Sequence, residues 1–126
     1  MKQVISTTNA PAAIGPYSQA IRTGNFVFLS GQLGLDPKTG EFVSNSVVEQ
    51  AEQVFKNIKS VLNEAGLDFK DVVKTTVFLS DMGNFAKVNE IYARYFEEPY
   101  PARSAFAIMN LPKNALVEIE VIAAVS

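Results

Sequence analysis

Ser46-Val47-Val48-Glu49 opens a stretch that runs past Gly66 and closes on Val72-Val73-Lys74-Thr75-Thr76-Val77-Phe78-Leu79. Apolar side chains recur in it at Val47, Ala51, Val54, Ile58, Val61, Leu62 and Ala65, a helical period with one face to bury. Ser46 and Glu49 have the spacing of a capping box, and Gly66 supplies a left-handed C-cap. The β-branched run Val72–Leu79 reads as a strand. A second helix is expected over roughly Asn84–Phe96, with Phe85, Val88, Ile91, Tyr92 and Tyr95 on one side and Pro99 stopping it. Helix, strand, helix and a further strand make crossovers of one direction, which place both helices on the same sheet face.

The remaining segments complete the sheet. Gln3–Ser6 is a short strand, and Asn9–Pro16 is a loop because its prolines and glycine prevent regular pairing. Ser18–Arg22 and Phe26–Ser30 form a hairpin around Thr23-Gly24-Asn25, with Gly31 marking a bulge or a close backbone approach. Asp36–Gly40 is a turn. Arg103–Met109 and Leu116–Val125 are the last strands, hinged on Leu111-Pro112-Lys113-Asn114, and hairpin symmetry would set Arg103 opposite the region of Glu118. Parity separates Leu116, Glu118, Glu120 and Ile122 from Val117, Ile119, Val121 and Ala123, and the apolar set suits the helix side. Parity likewise groups Arg103 with Ala105 and Ala107, small residues suited to the other face, which is to be shared with neighbouring subunits. The expectation is one α+β domain over 1–126 with a mixed six-stranded sheet and two helices on one face.

Composition narrows the chemistry. The 126 residues are 48% hydrophobic, enough for a core without staples, and 11 basic against 13 acidic residues leave a net charge of −2. Without a basic excess the chain is a poor generic nucleic-acid binder. There is no cysteine and no histidine, so thiol chemistry, a histidine base and imidazole ligation are excluded, and no zinc site is expected. No signal peptide and no membrane-length apolar run is present, which points to a cytoplasmic location.

Pro101-Ala102-Arg103-Ser104 and Glu118-Ile119-Glu120-Val121 hold the candidate chemistry. A guanidinium presents two parallel N–H donors to the two oxygens of a small carboxylate. A glutamate beside it would orient or deprotonate a water. Taken alone, these residues read as an exposed ion pair on a sheet edge, which contributes little.

The wider pattern shifts that balance. Ala13-Ile14-Gly15-Pro16-Tyr17-Ser18-Gln19-Ala20, Phe28-Leu29-Ser30-Gly31-Gln32, Gln50–Ile58, Lys74–Met82, Val88-Asn89-Glu90-Ile91-Tyr92, Pro101–Ser104 and Glu118–Ala123 follow one another in order. Over nearly the whole chain this resembles the Rid family, the YjgF-like reactive-intermediate deaminases, and most closely its RidA branch. The resemblance implies a chorismate-mutase-like fold, a homotrimer with sites between subunits, and no cofactor. It implies Arg103 as carboxylate anchor, Glu118 as water-orienting acid and Tyr17 as a pocket residue. Ser30 and Gly31 would line the cavity with backbone, and Phe85 and Asn89 would form a wall given by the adjacent subunit. Many relatives carry cysteine where this chain has Ala105, so only a backbone carbonyl is available there. Glu120, two residues on, competes with Glu118 for the acid role.

The activity implied is hydrolysis of 2-imino and 2-enamino acids, released by pyridoxal-phosphate dehydratases, to 2-keto acids and ammonia. Two other readings stand beside it. One is a non-catalytic trimer that binds keto acids as a regulator. The other is an RNA-directed ribonuclease or translation inhibitor, against which the charge balance and missing histidine weigh.

Overall fold

The computed structural model describes residues 1–126. In chain order it contains strands β1 (Gln3–Ile5), β2 (Ala20–Thr23), β3 (Phe26–Leu29) and β4 (Gln32–Leu33), helix α1 (Val47–Glu64), strand β5 (Val72–Leu79), helix α2 (Phe85–Tyr95), and strands β6 (Ala102–Ala107) and β7 (Val117–Ala124). The sheet order is β1-β2-β3-β7-β5-β6, with β4 also paired to β7. Only β5 and β6 run parallel. The sheet is therefore mixed and has seven strands rather than six. The added one, β4, has two residues, too few for an alternation to announce it.

α1 forms where its period demanded. Val54, Phe55, Ile58, Val61 and Leu62 are fully buried, each contributing about 2 kcal/mol by leaving water. Ser46 Oγ accepts from the Glu49 amide, as a cap should. The expected box does not close directly, however. Glu49 accepts from the Ser44 hydroxyl, and Ser44 Oγ accepts from the Ser46 amide, so a third residue relays the contact. Gly66 takes φ +77°, and the Leu67 amide returns to the Leu62 carbonyl. The buried Asn57 amide donates to the Leu33 and Leu35 carbonyls and so binds the helix to β4 and the loop after it.

The last two strands are not a hairpin. β6 pairs with one edge of β5 and β7 with the other, so β5 lies between them. The crossover through α2 lays β6 parallel to β5 at the sheet's end. The chain must then pass the tip of β5 to reach the opposite side. It does so just beyond Leu79, where the Ile108 amide donates to the Leu79 carbonyl and the Ser80 amide to the Leu116 carbonyl.

Register then fixes the faces. Val117, Ile119, Val121 and Ala123 face the helices and are buried, as parity required. Their β5 neighbours Leu79, Val77 and Thr75 pair on the other side with Ala107, Ala105 and Arg103. Arg103 and Ala105 thus lie on the helix face, and their expected placement on the open face is corrected. The alternation Arg103, Ala105, Ala107 against Ser104, Phe106 has no apolar contrast to fix its sense, and pairing with β5 settles it. The open face carries Phe28, Ile122, Phe78, Phe106, Glu118 and Glu120. Phe28 keeps 43% of its surface exposed and Phe106 51%.

Candidate active site

α2 and β6 together build one of two candidate groupings. Arg103 stands near the start of β6, opposite Thr75. Its Nη1 donates to Asn89 Oδ1 at 2.6 Å. The guanidinium carbon lies 4.7 Å from the centroid of the Tyr92 ring and 5.3 Å from that of Phe85. Phe85, Asn89 and Tyr92 share one side of α2, one turn or two apart, which is why they converge on one group. The Tyr92 hydroxyl bonds Thr75 Oγ1 at 2.8 Å, both residues being buried. Burial pushes the Tyr92 phenol up, against the opposing pull of the Thr75 bond and the Arg103 charge. The chain's only ion pair is Arg94 with Glu52, so no carboxylate neutralises Arg103. A cavity of about 440 Å³ adjoins it, lined by Asn89, Tyr92, Ala93, Tyr100, Pro101 and Arg103. Phe85 and Asn89 therefore attend Arg103 of their own chain. Ala105 follows on the same face, half-buried against the core.

β3, β4, β7 and the N-terminal loop build the other grouping. Three residues, Leu29 to Gly31, separate Phe28 from Gln32, where only Glu120 and Val121 separate their partners Ile122 and Ile119. This is the expected bulge, and Ser30 and Gly31 occupy it. The Ser30 hydroxyl donates to the Ser18 carbonyl at 2.6 Å. Gly31 is a position of close approach: a Cβ there would come within 2.8 Å of Glu118 Cδ. The glutamate side chain thus lies over the glycine backbone. Burial, then the neighbouring charge of Glu120, raises the Glu118 carboxyl above the usual range. Glu120 shares the face but is exposed. Geometry therefore distinguishes the two acids as the sequence did not.

Tyr17 is 54% exposed and shares a cavity of about 330 Å³ with Gly31, Ile14, Gln32 and Lys113. Gln19, 4% exposed, holds the loop before Tyr17 in place. It accepts from the Thr7 amide and donates to the Thr7 and Pro11 carbonyls. Lys113 and Asn114 both adopt left-handed backbone, with φ 57° and 59°.

Each chain thus carries two separate groupings. Arg103, Asn89, Phe85 and Ala105 lie together on the helix side. Glu118, Gly31, Ser30 and Tyr17 gather around the bulge, with Glu118 on the open face. Sequence reasoning missed Tyr92, Thr75, Gln19 and Lys113 as site neighbours. The first two read as ordinary core, though Tyr92 follows Asn89 by three positions and that spacing was the available signal. A further cavity of about 400 Å³, lined in part by Lys59, Asp68, Arg94 and Tyr95, contains none of the expected residues. Two of its polar groups, Arg94 and Tyr95, are engaged within the chain. Glu52 pairs Arg94 and accepts from the Tyr95 hydroxyl, and burial together with Glu52 pushes that phenol up to about 12.

Comparison with known proteins agrees with this architecture. The family model described as Endoribonuclease L-PSP matches residues 7–125, and the chain belongs to that family. The 2-iminobutanoate/2-iminopropanoate deaminase of Mus musculus is 54% identical over 98% of this chain and 91% of its own length. The crystal structure of RidA from an Antarctic Psychrobacter is 50% identical, with a TM-score of 0.94 over 98% of this chain and 99% of that one. The structure of E. coli TdcF with bound serine is 42% identical, with a TM-score of 0.92 over 98% and 99%. Neither helix is long and apolar enough to cross a membrane.

Proposed function

We propose that this protein is an enamine/imine deaminase that hydrolyses 2-iminobutanoate and 2-iminopropanoate to 2-keto acids and ammonia. The observation that carries the reading is the isolated Arg103 charge, faced by two rings and a neutral amide and adjoining a cavity. Such a group is matched to a small carboxylate from outside the chain. The deaminase name of the mouse relative and the serine bound to TdcF, itself a small carboxylate, support it.

Arg103 and Glu118 lie on opposite faces with β5 between them, so one substrate cannot meet both within one chain. The reading therefore includes a homotrimer in which Arg103 and Ala105 of one subunit face Glu118, Tyr17, Ser30 and Gly31 of the next. The exposed aromatics of the open face support burial against other copies. Arg103 forks the substrate carboxylate. Glu118, with the Ala105 carbonyl, holds a water beside the imine carbon and takes its proton as the C–O bond forms. The C=N pair moves onto nitrogen, which is protonated. The carbinolamine then loses ammonia as its hydroxyl proton departs and the keto group forms. Tyr17 shapes the cavity and relays a proton. Orientation and one acid–base group suffice for a reaction that already proceeds in water.

A threonine-dehydratase-coupled assay tests this: 2-ketobutyrate appears faster when the protein is added. Binding of 2-ketobutyrate with no change in that rate would instead establish the regulatory trimer. The family's endoribonuclease description keeps an RNA activity in view, and a steeply salt-dependent affinity for RNA is what that reading requires.

A further inference from the structure

The contacts of Arg103 contain a feature that carboxylate binding alone does not explain: every group that holds it is uncharged. Asn89 accepts from Nη1, while the rings of Tyr92 and Phe85 both lie within cation–π range of the guanidinium carbon. Nε and Nη2 have no partner in the chain, so the fork remains available. Tyr92 is itself fixed from three directions. Its hydroxyl bonds buried Thr75 at 2.8 Å, and its ring lies 4.5 Å from Phe96 and 6.0 Å from Phe55 between centroids. An aromatic face attracts a cation without cancelling its charge, and an amide oxygen restrains it in the same way. A carboxylate in either place would restrain it equally well and neutralise it.

We propose that Tyr92 is a positioning residue for Arg103, and that the neutrality of Asn89 keeps the guanidinium charge available to the substrate. This deepens the deaminase reading and rests on it for the identity of the ligand. The cradle sets both the place of the fork and its net charge. It assigns Tyr92 a role in substrate affinity although no atom of that residue need touch the substrate.

Two measurements test it. The first is the affinity of 2-ketobutyrate by calorimetry, with KM and kcat in the coupled assay. Tyr92→Leu removes the aromatic face and weakens binding about tenfold, raising KM with kcat nearly unchanged. Tyr92→Phe keeps the face and restores binding to within about twofold of wild type, even with its melting temperature lowered by loss of the Thr75 bond. Asn89→Ala weakens binding about threefold, whereas Asn89→Asp, at an exposed position that tolerates the change, weakens it tenfold or more, about the effect of one adjacent charge. Equal affinity of Tyr92→Leu and wild type, equal damage by Phe and Leu, or Asn89→Asp no worse than Asn89→Ala would each overturn the proposal.

The second measurement needs no ligand. The Nε–H resonance of Arg103 in NMR reports a restrained side chain in wild type and Tyr92→Phe, and a mobile one in Tyr92→Leu. A mobile Arg103 in wild type refutes the cradle even where keto acids bind. A restrained Arg103 in a protein that binds no keto acid upholds the cradle and overturns the deaminase reading.

Discussion

The two halves of the site are held in opposite ways. Around Arg103 the restraint comes from side chains: two rings and an amide from one helix converge on a single charged group. Around Glu118 it comes from backbone and from missing atoms. A bulge and a glycine without Cβ leave room for a carboxylate, and Gln19 clamps the N-terminal loop through its carbonyls. The difference suits the chemistry of each group. A permanent cation takes a fixed direction from large side chains, while burial raises the affinity of the Glu118 carboxyl for its proton.

The largest effect expected tests whether the halves work together across chains. Arg103→Lys replaces a planar fork by a point donor and should lower kcat/KM about a hundredfold. Glu118→Gln keeps the shape, removes the base and should lower kcat about as much, with keto-acid binding retained. Unfolded and refolded together in equal amounts, these two variants should regain about a quarter of the wild-type rate, the statistical share of interfaces that pair two intact halves in a ring. No recovery, or a monomer in sedimentation, would place the whole site elsewhere.

Gly31→Ala sharpens the contrast at the second half. The new methyl displaces the Glu118 carboxylate, and kcat should fall about tenfold while the affinity for 2-ketobutyrate stays close to wild type. A crystal structure of the variant with the carboxylate unmoved would remove that explanation. A milder change is expected at Glu120. Because its charge helps raise the Glu118 carboxyl, Glu120→Gln should leave the plateau of kcat within a few fold and move the acidic limb of its pH profile downward.

The smallest effect concerns stability. Glu118 binds its proton more tightly in the folded chain than in the unfolded one, since burial and Glu120 raise its pKa. The unfolded state therefore releases that proton first as pH rises from the ordinary carboxylate range, and folding stability declines through the window up to the raised value. Glu118→Gln abolishes the decline. Urea unfolding should find the variant somewhat more stable than wild type at neutral pH and equal to it in acid, and the reverse order would contradict the assigned environment.

Much of this was legible in the residues. The period of α1, the β-branched β5 and the apolar parity of β7 each gave a unique answer because burial on one side leaves one solution. The family motifs marked Arg103, Glu118, Tyr17 and Gly31. What stayed hidden was non-local. Nothing in Arg103–Ala107 announces that β5 will separate it from β7, because strand order depends on where a crossover lands and not on local pattern. Small residues pointed β6 to the wrong face, and so hid the fact that Arg103 and Glu118 are on opposite sides. Tyr92 looked like core because it is core; its second face becomes visible only when Arg103 is laid over it.

The single ion pair between Arg94 and Glu52 has a practical consequence. Of 24 acidic and basic residues, the 11 and 13 of the sequence, only these two join within the chain. Ionic strength therefore has little purchase on the folded state, and a salt titration reports the ligand instead of the scaffold. A small acid held by one guanidinium gives a shallow decline in affinity with added salt, whereas a polyanion gives a slope that grows with every phosphate engaged. An ordinary buffer series thus counts the charges of whatever this protein binds.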